Sequence, residues 1–207
     1  MIIFECEQGS ESWFEAKSGR VTGTRFGSLI AKESTKEYQN LISNLVCEII
    51  TGRIEETYSN AIMEKGLETE PLARKEYENI FGIDIKQAGF FIPDEDEKYN
   101  EWIGISPDGL IGNNAMIEIK CPLMRTHLEY IQANKLPSEY KHQVQGQLFV
   151  SKFDYCDFMS YVEGMKPFII RVEPDKELFK EYEIRLDKLI LEVKDRLEIY
   201  KLYDYLK

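Results

Sequence analysis

The chain is 207 residues long, 43% hydrophobic and 30% charged, with a formal net charge of −11. Such a composition supports a folded core and excludes a disordered chain, and the length suits one domain spanning residues 1–207. The negative charge excludes a protein that wraps nucleic acid on a broad basic face, and no apolar run reaches the ~18 residues needed to cross a bilayer.

The first residues, M-I-I-F-E-C-E-Q, are acidic and lack the basic-then-apolar order of a signal peptide, which makes the cytoplasm the default location. Ser10 is placed as the N-cap of a short helix through Trp13 and Phe14. Either Thr22 or Thr24 opens a second helix, with Phe26, Leu29 and Ile30 apolar. Leu41, Leu45, Val46, Ile49 and Ile50 keep helical spacing up to Gly52. A further helical region runs from about Asn60 to Phe81 and closes at Gly82; Pro71, inside it, starts or kinks a segment. Between Glu11 and Lys36 the balance turns locally basic, since Lys17, Arg20, Arg25, Lys32 and Lys36 face three glutamates.

The period then changes. Residues 83–92, 102–106 and 115–120 read as strands separated by Pro, Asp, Asn and Gly. Residues 124–134 and 139–150 read as helices, and 155–162 and 168–172 as strands. Pro174 opens a long helix with Leu178, Ile184, Leu186, Leu189, Ile190, Val193 and Leu197 at apolar spacing. This order predicts an α/β fold in which helices flank one mixed central sheet. Phe90, Phe91, Tyr99 and Trp102 read as core or edge packing. Cys6, Cys47, Cys121 and Cys156 form no C-x-x-C pair and read as buried reduced thiols.

Residues 106–122, S-P-D-G-L-I-G-N-N-A-M-I-E-I-K-C-P, carry the chemistry. They hold an acid at Asp108, a turn, and an apolar strand into which Glu118 and Lys120 are set. Alternation puts Glu118 and Lys120 on one face and Ile117 and Ile119 on the other. Asp108–Gly109 also suits a plain turn, and Glu118 with Lys120 a structural ion pair, but a buried pair of that kind adds little stability. Two carboxylates and a lysine at one sheet end suit a divalent metal and an activated water. Nearby cations and metals would depress the Lys120 amine, which fits it either to orient or deprotonate that water or to stabilise charge on the phosphate. His127 and His142 have no ligand spacing with a neighbouring acid or cysteine.

The S-P-D-G-L…E-I-K-C-P string resembles the phage lambda exonuclease group of viral recombination nucleases, the YqaJ-type alkaline exonucleases. That group lies within the restriction-endonuclease-like PD-(D/E)xK superfamily. Three further strings resemble the group in the same order: G-R-V-T-G-T-R-F-G its L-G-x-I-T-A-S box, E-K-G-L-E-T-E-P-L-A-R its G-x-x-x-E-x-x-A-R helix, and K-H-Q-V-Q-G-Q-L-F-V its Q-V-Q helix. Together they cover about Gly9 to Val150. The chain departs from the box in having Gly23-Thr24 where Ala-Ser is usual, and Pro71 follows the matched glutamate.

The resemblance implies a restriction-endonuclease-like core. It implies Mg²⁺, two ions per site with Mn²⁺ as an alternative, held by Asp108, Glu118, the Ile119 carbonyl and Glu70. Among the helix glutamates Glu64, Glu68, Glu70, Glu76 and Glu78, the motif match selects Glu70. It implies a 5′-phosphate pocket in which Lys17 stands at the position of an arginine, with Arg20 and Arg25 as neighbouring alternatives. Thr24, Ser106 and Gln145 match the pocket's hydroxyl and amide positions. Gln143, expected on the same DNA-binding surface, shares a helix face with Gln147, and Gln145 lies off it; surface amides are the plain alternative. The implied activity is digestion of one strand of linear duplex DNA from its 5′ end to mononucleotides. The implied partners are duplex ends, a single-strand-annealing protein and two further copies in a ring-shaped homotrimer. The implied setting is a phage- or prophage-encoded protein in a bacterial cytoplasm. Three alternatives stand beside this: an endonuclease of the same superfamily, a non-catalytic DNA-end or recombinase-binding module, and a hydrolase of small phosphorylated substrates.

Overall fold

The computed structural model describes the backbone of residues 1–55 and 61–204 and the side chains of 1–55 and 68–202. The expected helix start at Asn60 and the side chain of Glu64 lie outside the described residues.

The first strand, β1 (Ile2–Phe4), leads into helix α1 (Glu11–Lys17), which starts where Ser10 Oγ accepts the Trp13 N–H. Strand β2 (Val21–Thr22) passes through a tight 3₁₀ turn over Gly23–Arg25 into the short helix α2 (Phe26–Ile30), so that helix begins later than either threonine. Helix α3 (Lys36–Thr51) is capped by Thr35 and stopped by Gly52 at φ +67, in the left-handed region open to glycine. Helix α4 (Ala61–Phe81) runs through Pro71, and Gly82 ends it at φ +66.

The expected strand over 83–92 is two strands in different sheets. Strand β3 (Ile85–Lys86) lies at the edge of the central sheet, while β4 (Phe90–Ile92) pairs antiparallel with β1. The break falls at Gly89, where a Cβ would lie 2.1 Å from the Phe4 carbonyl oxygen. Strand β5 (Ile103–Gly104) pairs parallel with β2.

Asp108–Gly109 is not a turn. Gly109 opens strand β6 (Gly109–Ile111), and the reversal comes at Gly112, φ +61. Strand β7 (Ala115–Lys120) follows, then helices α5 (Met124–Ala133) and α6 (Lys141–Ser151), strands β8 (Tyr155–Ser160) and β9 (Phe168–Val172), and the long helix α7 (Lys176–Asp204). The central sheet has the order β3-β6-β7-β8-β9, with β7 and β8 parallel and the other neighbours antiparallel. It is the mixed sheet that the alternation of strands and helices predicts.

Strand β7 is buried on both faces, as the inner strand of a layered α/β fold must be. Met116 joins Cys156, Phe158, Val144, Leu148 and the apolar faces of α2, α3 and α7 on one side. Ala115, Ile117 and Ile119 join Met159, Ala73 and Tyr77 on the other, beneath α4. Phe90, Phe91 and Tyr99 are buried as expected. All four cysteines are free, but Cys47 is exposed on α3 and only Cys156 is fully buried. Ile184, expected in the apolar stripe of α7, is 68% exposed, as are, to a lesser degree, Ile49 and Ile50 on α3. Among the described residues no helix is long and apolar enough to cross a membrane.

Helix α6 packs directly on Phe26. A Cβ at Gly146 would lie 2.4 Å from the Phe26 ring, which Tyr182 and Phe149 already wedge from two sides. Helix propensity alone favours alanine over glycine by about 1 kcal/mol, but overpacking costs roughly 1–3 kcal/mol. Gly146→Ala is therefore expected to be destabilising by up to about 2 kcal/mol, read as a lower urea midpoint at unchanged slope.

Candidate active site

Glu118 and Lys120 leave β7 on the face turned to α6. Glu118 is 1% exposed, and burying a carboxylate this deeply needs donors on both oxygens. They are present. Gln143 Nε2 donates to Oε1, Gln147 Nε2 donates to Oε2 at 2.7 Å, and Lys120 Nζ approaches Oε1 at 2.5 Å. The two glutamines stand one helical turn apart, so the phase of α6 delivers both amides to one acid. Gln145, between them in sequence, points away. Its amide donates to the Glu173 carbonyl and its oxygen accepts the Asp175 N–H, tying α6 to the start of α7. The expected phosphate contact of Gln145 thus finds no support in its position, and Gln147, read as a face-mate of Gln143, emerges as a ligand of Glu118.

Asp108 sits where β6 begins and closes on the same point. Its Oδ2 accepts the Ile119 N–H at 2.6 Å, locking the acid to the backbone between Glu118 and Lys120. From the opposite face of the sheet α4 brings Glu70. Arg74, one turn on, pairs with Glu70 at 2.6 Å and donates from Nε to the Asp108 carbonyl, so one guanidinium joins helix and strand. Glu78 accepts the Ile85 N–H instead, and Glu68 is exposed.

Three carboxylates now share a poorly solvated space. Burial, then the Glu118 charge, pushes the Asp108 carboxyl well above its ordinary range. Burial also raises Glu70, with Glu118 adding to it and Arg74 and Lys120 opposing. For Lys120, burial opposes the charge but Glu118 and Asp108 outweigh it, so the amine is raised and stays an ammonium. The chain's own groups therefore act on Lys120 in the direction opposite to the expected depression, because its neighbours are acids rather than cations. Among the described residues no three His, Cys, Asp or Glu side chains form a finished metal centre, and the carboxylate oxygens engage Gln143, Gln147, Lys120, Arg74 and the Ile119 N–H. The donor set is nevertheless all oxygen and carries excess negative charge, which fits a hard divalent cation.

A sequence model of the YqaJ-like viral recombinase domain matches residues 12–154, a span that includes Asp108, Glu118, Lys120 and both glutamines. The chain belongs to the YqaJ-like viral recombinase family. Among solved structures, the alkaline exonuclease LHK-Exo from Laribacter hongkongensis is 33% identical and superposes with a TM-score of 0.84 over 95% of this chain and 98% of its own. LHK-Exo in complex with dAMP gives 34% identity, the same TM-score and the same coverage. A phage-related exonuclease from Haemophilus somnus 129PT shares the fold at 16% identity, with a TM-score of 0.64 over 87% of this chain and 96% of its own. No curated protein matches the chain.

The second cluster of this YqaJ-like domain lies beside the acids. Trp13 connects it: its indole N–H donates to Ser106 Oγ at 2.9 Å, and Lys17 Nζ lies 3.5 Å from the ring centroid. Ser106, two residues before Asp108, passes its own proton to the Gly89 carbonyl. Lys17 is lowered to about 8, first by burial and then by Arg25, with Glu48 opposing. Thr24 is exposed on the 3₁₀ turn, with Thr22 as its hydroxyl neighbour. Gly23 of the same turn faces the glutamines; a Cβ there would lie 3.2 Å from Gln147 Cγ. So Lys17 and Ser106 are joined around a tryptophan that sequence reasoning missed, while Thr24 stands on the turn whose Gly23 faces the glutamines.

The two neighbouring arginines are committed elsewhere. Arg20 folds back on the Ala16 carbonyl, and its Nε is buried without a partner. Arg25 grips buried Glu48 with both terminal nitrogens, one at 2.8 Å, and Glu48 also accepts the Gly19 N–H. Arg25→Ala would strand Glu48, and its stability loss is expected near the low end of the roughly 3–5 kcal/mol seen for a broken buried pair, because Arg25 itself is partly exposed. Thermal denaturation without DNA checks this; a change under about 1 kcal/mol would mark the pair as a surface contact.

Proposed function

We propose that the protein is a metal-dependent exonuclease that digests one strand of linear duplex DNA from its 5′ end, leaving a 3′ single strand for an annealing partner. The observation that carries this reading is that Asp108 is bound to the Ile119 N–H between paired Glu118 and Lys120, with Glu70 linked through Arg74 to the Asp108 carbonyl, in a chain of the YqaJ-like family whose relative of about one-third identity is an alkaline exonuclease. The cluster that joins Lys17 to Ser106 through Trp13 ends two residues before Asp108 in the chain, where a strand end would rest.

Asp108, Glu118, the Ile119 carbonyl and Glu70 would hold Mg²⁺ or Mn²⁺, one ion or two. The metal supplies Lewis acidity toward the scissile phosphate and a lower pKa for the attacking water. The chain's residues do the rest. Gln143 and Gln147 donate to both Glu118 oxygens and fix its rotamer. The Ile119 N–H orients Asp108. Lys120, held as an ammonium by its acidic neighbours, donates to a phosphate oxygen as negative charge grows there in the transition state. Lys17 meets the 5′-phosphate as a point charge where an arginine would grip it with two hydrogen bonds. A −11 chain leaves DNA few other places to settle, which favours engagement at this end. Assembly into a ring of three would keep the strand enclosed between cuts.

A timed digestion of linear duplex labelled separately at each 5′ and 3′ end, with closed circles and a metal-free control, tests the reading. Mononucleotides are expected from the 5′ label first, with circles intact; cut circles would make it an endonuclease. Lys120→Ala is expected to bind DNA with near-native affinity and to lose cleavage by at least ~100-fold, and near-normal turnover would remove Lys120 from the mechanism.

Lys17 gives the reaction a pH signature. Its amine is cationic below about 8 and neutral above. The advantage of 5′-phosphate over 5′-hydroxyl ends in kcat/KM, which reports the free enzyme, is therefore expected to be full at pH 7 and to fall roughly tenfold by pH 9. Lys17→Arg should hold that preference through the whole range, while an unchanged pH profile in the variant would take Lys17 out of the pocket.

A further inference from the structure

Beneath the acid cluster, on the α4 side of the sheet, lies a charged group that the chemistry above does not use. Asp157 on β8 is 2% exposed, yet its side chain projects among Ile117, Met159 and Ala73. Three hydrogen bonds satisfy it. Arg171 on β9 donates from Nε and an Nη at 2.9 Å each, and Tyr77 of α4 donates from its hydroxyl at 2.6 Å. The Arg171 guanidinium also lies 3.6 Å from the Tyr155 ring centroid, which fixes its plane. An ion pair with one buried and one half-exposed partner adds little net stability compared with apolar packing. What it does supply is a unique register, because only one placement of α4 lets the Tyr77 hydroxyl reach Asp157.

That register matters two turns earlier. Glu70, Arg74 and Tyr77 stand at i, i+4 and i+7, on one stripe of α4. Between Glu70 and Tyr77 lies Pro71, which has no N–H for the helix ladder and loosens the turn that presents the acid. Arg74 ties Glu70 to the Asp108 carbonyl, but its own backbone goes wherever α4 goes. We propose that the Tyr77–Asp157–Arg171 network sets the position of Glu70, with Tyr77 and Asp157 acting as positioning residues for metal binding at Asp108. This rests on the metal-dependent reading above.

The test measures Mn²⁺ affinity by calorimetry on the full chain without DNA, alongside thermal midpoint, kcat and KM. Tyr77→Phe is expected to weaken Mn²⁺ binding roughly three- to tenfold, near the lower edge of the ~10–100-fold loss that follows removal of an outer-shell ligand partner. It should lower kcat at fixed metal while KM for DNA stays the same. Tyr182→Phe is the control: it removes a buried hydroxyl that meets His142 on the other side of the sheet, and should lower the thermal midpoint without moving Mn²⁺ affinity. In a Glu70→Gln background Tyr77→Phe should have no further effect on affinity, since it acts through Glu70. Should Tyr77→Phe fail to fold, Arg171→Gln on the half-exposed rim reads the same network in the same direction. An affinity within twofold of wild type in these variants, or losses from Tyr77→Phe and Glu70→Gln that multiply, would overturn the proposal, as would wild-type protein that takes up no Mn²⁺. Wild-type protein that binds Mn²⁺ but leaves linear DNA intact would sink the exonuclease reading alone; the network then stands on the affinities.

Discussion

A fully buried carboxylate on an inner strand is the constraint around which the rest is arranged. Glu118 sits on β7 between Met116 and Lys120, with apolar layers above and below. Leaving such a charge unpaired would cost several kcal/mol. Two amides and an ammonium answer it, and two of those three groups arrive from α6. Helix α6 can come that close because Gly146 lets Phe26 pack against its backbone, and because Gly23 leaves room for the glutamine stems. Small residues at two contacts thus determine whether one buried acid finds its hydrogen-bond donors.

The sheet divides the labour between its faces. The α6 face holds Glu118 and its donors, while the α4 face supplies Glu70 and Arg74. Asp108 bridges them at the strand edge through the Ile119 N–H. Strand alternation enforces this division. Consecutive residues 117–120 face alternately toward two different helices, so a single six-residue strand organises both halves of the site.

How much of this was legible in the chain depends on the range of the interaction. The E-I-K strand, the Ser10 cap and the Gly52 and Gly82 stops are written in neighbouring residues, and they stand where local patterns put them. The short strands β1 and β6 carry too few residues to show a period, and the split of 83–92 follows from the Phe4 carbonyl pressed on Gly89, far away in sequence. The partners of several site candidates are hidden for the same reason. Arg25, an alternative to Lys17 for the phosphate pocket, pairs with Glu48, 23 residues on, and Trp13 acquired a role only through Ser106, 93 residues away. Gln145 and Gln147 differ by helix phase alone, which a short motif match does not resolve against a partner on another element.

Trp13 has one further consequence. One side of its indole carries a lysine, its N–H carries a serine hydroxyl, and both belong to the cluster beside Asp108. An indole so placed senses charge and hydrogen bonding together. Its emission is thus an intrinsic optical gauge of whatever occupies that corner, and the chain has only one other tryptophan to contribute background.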